Sequence, residues 1–459
     1  MARRPTCLSA LLLTAVCFVH SVVAHPAAAA SWQAGVARQV ITPPAPMWMS
    51  GYASRTGPAE GTLHDLWAKA LVIQDPAGEK LVLVTLDLVG IGRDVSIDAC
   101  TRLQKKFGLK RSQIALCTSH THTGPVVGSN LGSMYFLDEA GQKLVTEQTE
   151  RIVVGIVTAV GNAMEDLQPA KLSYGMGTAT FAVNRRNNRE PDVPKLREAG
   201  ELKGPIDHSA PVLAVHDADN SLKAVVFGYA CHATVLSLNQ WSGDWPGFAQ
   251  IELEKRHPDA VALFMAGCGA DQNPLPRRTV ELAEAYGQQM ADAVDKALDG
   301  EMHPVTGALK STYQEIDLAL GELPTRDQVT QDLESPNKYI ASRAKSLLAE
   351  LDSKGQLAST YPYPVQIWAI GDRARTVILG GEVVVDYSLR LRSEFPDHDL
   401  WVAGYSNDVM AYIPSLRVLK EGGYEGASSM IYYGLPTVWS ENVEEHIVET
   451  VHALAKDVN

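Results

Sequence analysis

The chain has 459 residues, 46% apolar and 20% charged, enough to bury a sizeable core in one large α/β domain or in two or three smaller ones. Its 53 acidic residues against 40 basic ones leave a net charge of −13 and a pI near 5.5. That balance excludes non-specific nucleic-acid binding and an electrostatic anchor on anionic lipid, and it leaves neutral or apolar small-molecule and lipid substrates open.

Residues 1–30 carry the marks of an export signal. Arg3 and Arg4 give a basic start, an apolar run follows from Leu8 to Val23, and Ala24 and Ala27 to Ala30 supply small residues for cleavage. The apolar run is short for a membrane span. The protein is therefore expected to be exported, periplasmic or extracellular, and to begin near Ser31. Cys7 and Cys17 leave with the signal. Of the remaining four cysteines, Cys117, Cys231 and Cys268 end apolar runs and read as small buried hydrophobes.

The first expected strand is Gly35 to Ile41. A hairpin follows, Ala68 to Ile73 and Lys80 to Asp87, turning at Asp75-Pro-Ala-Gly78. A helix is expected from Val95 to Phe107, then a buried strand, Ile114 to Cys117, ending in Ser119-His-Thr-His-Thr-Gly-Pro125. The same order recurs: a hairpin of Pro211 to Val215 and Lys223 to His232, a helix from Gly247 to Arg256, and a strand from Val261 to Met265. A fainter third copy runs through Pro364 to Ile370, Arg375 to Glu382, a helix from Val383 to Phe395 and a strand from Leu400 to Ala403. Helical insertions are expected over 139–167, 282–298 and 327–351.

This pattern predicts one α/β domain over residues 31–459, with mixed, largely parallel sheets built from repeated strand–turn–strand–helix–strand units and flanked by helices. In such sheets functional groups gather at the carboxyl ends of strands. The second strands of the units end at Asp87, His232 and Glu382. The third end at His120 and His122, Asp271 and Asn273, and Asn407 and Asp408. His120, His232 and Glu382 make the best metal set, because two imidazoles and a carboxylate leave the open position that catalytic zinc keeps for water. His122 and Asp244 are candidates for proton transfer, although a helix N-cap explains Asp244 better. No G-x-S-x-G, Walker A or dinucleotide fingerprint is present, so serine-triad and nucleotide chemistry are unsupported.

Several stretches, in order, carry a resemblance: Gly51-Tyr-Ala-Ser-Arg55, His64-Asp65, Ala68-Lys-Ala-Leu71, Thr118-Ser-His-Thr-His-Thr-Gly-Pro125, Asn184-Arg185, His232, Ser242-Gly-Asp244, Gly381-Glu382 and Tyr424-Glu-Gly-Ala427. Together they resemble the neutral ceramidase family, zinc amidases that cleave N-acylsphingosine. The resemblance implies Zn²⁺ on His120, His232, Glu382 and a tyrosine after Asn407. Tyr412 fits that place, with Tyr424 as the other choice. It also implies that His122 and Arg185 polarise the scissile carbonyl, and that Asp271 and Asn273 contact substrate. Two departures stand out. Asn273 occupies the place of the serine in the family's Gly-Asp-Val-Ser-Pro-Asn block, and asparagine cannot be acylated. The chain also ends about where the family's catalytic domain gives way to an immunoglobulin-like domain. The readings carried forward are an exported zinc amide hydrolase on an N-acylated substrate, a zinc-containing binding protein without turnover, and a metal-dependent esterase or deacetylase.

Overall fold

All three expected hairpins form, and each is extended in the same way on both sides. The computed structural model describes residues 31–458, with Met1 and Ala2; the rest of the expected export signal lies outside the described residues. The first unit comprises strands β1 (Gln33–Val40), β2 (Trp67–Gln74) and β3 (Lys80–Leu86), the crossover helix Arg93–Phe107, and β4 (Ile114–Thr118). The second comprises β5 (Gln168–Thr178), β6 (Ser209–Asp217), β7 (Leu222–Tyr229), the helix Asp244–Arg256 and β8 (Val261–Ala266). The third comprises β9 (Leu309–Ala319), β10 (Thr360–Ile370), β11 (Ala374–Leu379), the helix Val385–Glu394 and β12 (Asp399–Ala403).

Within each unit the first three strands pair antiparallel and the last, returning through its helix, pairs parallel. The first two units fuse through a short β1–β5 contact into a nine-stranded sheet, and the third keeps its own four-stranded sheet. The sheets are mixed, as expected, but they are not largely parallel. Among the long strands, parallel pairing is confined to β3–β4, β7–β8 and β11–β12. The hairpin turns can only join antiparallel neighbours, and each parallel pair is joined by a helical crossover.

The two sheets pack face to face. Leu71, Ile73 and Leu81 of the first unit and Leu213 and Val226 of the second share one core with Trp368, Ile370, Ile378 and Trp401 of the third. The opposite face of the large sheet is covered by helices. Ala68, Ala70, Val72 and Val84 lie under Ile152, Ile156, Ala159 and Ala163 of the long helix Glu139–Glu165. The outer face of the small sheet is covered by Ile447, Val448 and Val451 of the helix Val443–Asp457. Strands covered on both sides explain why β2 and β3 read as continuous apolar runs rather than alternating ones.

Strands β5 and β9 were not expected. They carry Lys171, Gly175 and Gly177, or Lys310, Gln314, Glu315 and Asp317, and half-exposed strands of that composition lack a clear apolar period. The expected helix over 327–351 divides into Arg326–Asp332 and Lys338–Lys354, because Pro336 disfavours helical backbone at the residue before it and cannot donate a helical hydrogen bond. Cys117, Cys231 and Cys268 are buried, as expected, and these three and Cys100 are free thiols.

Candidate metal centre and active site

The last strands of the three units end side by side. Backbone bridges join Cys117 to Ser406 and Gly267 to Ala403, and the Thr118 amide donates to the Tyr405 carbonyl at 3.1 Å. This junction brings one group from each unit to a common point. The first unit supplies His120 and His122, and the second supplies His232, whose amide donates to Gln272 O at 2.9 Å. The third supplies Glu382, whose short strand Glu382–Val383 pairs parallel with Tyr412–Ile413. The turns are forced into rare backbone conformations. His120, Asp244, Tyr405 and Asn407 have φ of 59, 55, 53 and 64°, each costing about 1–3 kcal/mol for a residue with a Cβ. Such strain persists only where the surroundings over-determine it.

His120 Nδ1 lies 2.5 Å from the Val89 carbonyl and His232 Nδ1 lies 2.7 Å from the Gly269 carbonyl. A carbonyl only accepts, so both Nδ1 atoms carry the proton and both Nε2 atoms keep a lone pair. Each of those Nε2 atoms stands 3.2 Å from Glu382 Oε2. Glu382 Oε1 accepts from the Tyr433 hydroxyl, whereas buried Oε2 has no hydrogen-bond donor. An undonated carboxylate oxygen facing two imidazole lone pairs is costly in a buried site, and a cation among the three relieves all of them at once. The residues therefore fit a zinc-type ion. His122 Nε2 lies 3.1 Å from His120 Nε2, so it belongs to the same buried triad of imidazoles as His120 and His232. Tyr412 completes the ring, its hydroxyl 3.4 Å from His232 Nε2.

Burial sets the charge states. It holds the His122 imidazole well below its usual range, reinforced by His120 and His232. Burial and the Arg185 guanidinium push His232 down to about 4. Burial alone would raise Glu382, but the imidazoles of His120 and His232 outweigh it and keep the carboxyl well below its ordinary value. At neutral pH His122 and His232 are thus neutral and Glu382 is a carboxylate. Burial also pushes the Tyr412 phenol well up, with Glu382 adding to the shift.

Arg185 enters from the turn after the short strand Ala182–Asn184. Its Nη2 donates to the Tyr412 hydroxyl at 3.1 Å, its Nη1 to Asn273 Oδ1 at 3.2 Å, and its Nε to Glu425 at 2.7 Å. Asn273 thus stands in the site through Arg185. Asp271 is turned differently: Oδ1 accepts from the Val385 amide and Oδ2 from Asn184, so its carboxylate ties the start of the helix after Glu382 to the segment that carries Arg185. The Tyr424 ring lies 5.3 Å from that of Tyr412 and is partly exposed.

Asp244 is no N-cap. It is the first residue of its helix, and its carboxylate accepts from the amides of Val235 and Leu236, bracing the loop that follows His232. Of the other strand ends, Asp87 accepts from the Trp67 amide, Asn407 from the Leu116 amide and Asp408 from the Tyr361 hydroxyl, so these three hold backbone and neighbouring strands. Sequence reasoning missed Tyr433, Glu425 and Tyr405. Tyr433 lies on a one-turn helix, Glu425 on an irregular turn, and Tyr405 sits tilted against His120 with ring centroids 4.4 Å apart. The strand-end rule reaches neither Tyr433 nor Glu425; Tyr405 follows a strand end but carries no ligand signature.

Two packed β-layers, flanked by helices, thus bring three histidines and a glutamate into one buried pocket that could hold a metal ion. Residues 32–273 match the family model described as neutral/alkaline non-lysosomal ceramidase, N-terminal, and the chain belongs to that family. Among curated relatives it is 30% identical over 345 residues to the neutral ceramidase of Pseudomonas aeruginosa, covering 70% of this chain and 50% of that one. It is 26% identical over 285 residues to neutral ceramidase 2 of Arabidopsis thaliana, covering 58% and 36%. The chain thus spans half or less of the length of these relatives. The crystal structure of the Pseudomonas aeruginosa neutral ceramidase superposes with a TM-score of 0.70 at 21% identity, over 92% of this chain and 73% of that one, which establishes a shared fold.

Proposed function

We propose that the protein is an exported, zinc-dependent hydrolase that cleaves the amide bond of an N-acylated, ceramide-like substrate. The observation that carries this reading is the convergence of His120 Nε2, His232 Nε2 and the undonated Glu382 Oε2, with Arg185 beside them. His120, His232, Glu382 and Tyr412 would hold the ion, which when bound supplies Lewis acidity and a water that ionises near neutral pH.

The chain's own groups do the rest. Arg185 is locked by Glu425 and Asn273 before substrate arrives, so its guanidinium stabilises the carbonyl oxygen as negative charge develops there without reorganising. His122 donates its Nε2 proton to His120 while the His120 lone pair is free. With an ion on that lone pair, the His122 N–H would be free to donate to the substrate carbonyl. Asn273 cannot be acylated, so no covalent route runs through that position, and water would be the attacking group. Asp271 and Asp244 position the turns that carry these groups. Arg3, Arg4 and the apolar run after them support export. No helix among the described residues is long and apolar enough to cross a membrane.

Zinc analysis and turnover test the reading together. Purified protein should contain about one zinc, and it should release fatty acid from N-acylsphingosine. A protein that binds zinc but cleaves no amide or ester in a panel would be a binding member of the family.

A further inference from the structure

Beside the metal centre lies a cavity of about 550 Å³ that shares Arg185, Asn273 and Tyr424 with it. Its walls are basic. Arg185, Arg186, Arg189 and Arg277 line it against only two carboxylates, Glu190 and Glu425, so the lining carries a net charge of +4 − 2 = +2 in a protein whose net charge is −13. Glu421 and Asp192 also touch Arg186 and Arg189, but these acids stand outside the lining and are 43% and 53% exposed. Such solvent-screened pairs are worth little and exchange readily for a ligand. One arginine keeps its donors in reserve: Arg189 is 83% exposed, with its nearest carboxylate oxygen at 3.9 Å.

A ceramide is uncharged, and the amine its cleavage releases is a cation at neutral pH. Neither gives these guanidinium groups a partner, and the released amine would be repelled by them. Planar, forked guanidinium groups match carboxylate and phosphate oxygens. We propose that the substrate carries an anionic group, a carboxylate or a phosphate monoester, that is seated in the cavity lined by Arg186, Arg189 and Arg277 while its acyl linkage lies at the metal centre. The proposal rests on the amide-hydrolase reading for the placement of the scissile bond only. It adds a charged end to the preferred N-acyl substrate and leaves uncharged N-acylsphingosine as the weaker one.

The test uses the zinc-loaded full chain and probes without a cleavable acyl bond: a decyloxyacetate, decyl phosphate and the uncharged decyloxyethanol, each titrated by calorimetry. At least one anion should bind about ten-fold or more tighter than the alcohol, as expected for charge-assisted recognition by arginine. Arg189→Glu should remove about ten-fold of that advantage and leave the alcohol unchanged. Arg189 is exposed, so this reversal spares the core, and Arg277→Gln gives a second variant from another segment. Whichever anion loses more in these variants names the class. Anion binding that stays within about two-fold of wild type in both variants overturns the proposal, since direct binding to the metal is common to all three proteins. Turnover is read separately. If neither N-acylsphingosine nor N-acylglycine is cleaved, the hydrolase reading fails while anion binding at the arginines still stands. If N-acylsphingosine is cleaved and the anions show no arginine-dependent advantage, the hydrolase reading stands and the charged substrate falls.

Discussion

The metal pocket and the arginine-lined cavity adjoin, yet they are built in opposite ways. The pocket is made by backbone. Its histidines are fixed by carbonyls at Val89 and Gly269, Glu382 by strand pairing with Tyr412, and the turns between them by bridges among the ends of β4, β8 and β12. The cavity is made by side chains on loops: Arg186 held by Glu425 and Glu421, Arg277 by Glu190. Rigid elements set the chemistry, while exchangeable ion pairs on loops set what is admitted. Arg185 belongs to both regions, linking Tyr412 on one side to Glu425 on the other.

If the pocket is a preformed ion site, removing one ligand should have the largest effect. Glu382→Gln should weaken zinc binding by at least about 100-fold, more than loss of an outer partner does, and abolish turnover; metal analysis after dialysis checks this. Arg185→Ala should divide the two regions, keeping zinc but lowering kcat by about 10²–10³-fold, as loss of an oxyanion donor does. Retained kcat would mean that Arg185 serves the cavity alone.

Gly51 tests the rigidity of the pocket. A Cβ there would lie 2.5 Å from His122 Nδ1, and φ is +95°. Gly51→Ala should cost about 1–3 kcal/mol in denaturant midpoint and lower activity about ten-fold by displacing His122 while zinc remains.

The effect least tied to the metal pocket is on pH dependence. Burial pushes the Asp408 carboxyl up to about 7, against the opposing bond from Tyr361. The native state then holds a proton that the unfolded chain releases near pH 4, so the stabilisation is complete below about pH 4 and is lost as pH rises through 7. Asp408→Asn should remove that slope, worth up to about 4 kcal/mol, which melts across the range would show.

Much of the third unit was legible because its strands are apolar on both faces, and so were its Gly-Gly-Glu ending and the helix that follows. β5 and β9 were not, since their polar, glycine-bearing sequences lack a period. His120, His232 and Glu382 were legible as strand ends. Asp87, Asn407 and Asp408 satisfied the same rule, yet the first two hold backbone amides and Asp408 holds the Tyr361 hydroxyl. Tyr433 and Glu425 were out of reach, because each enters the site from a turn whose place only packing fixes.

By itself the sequence determined the repeated unit, the buried strands and the residue types able to hold a metal. Periodicity, turn residues and strand-end chemistry are local properties. The tertiary structure decided which strand ends meet. It also decided that His122 joins the imidazole cluster, that Asp271 and Asp244 brace backbone, and that Arg277 faces the same cavity as Arg185, Arg186 and Arg189. Those outcomes depend on how separate units pack against one another, and no spacing within a single segment encodes that.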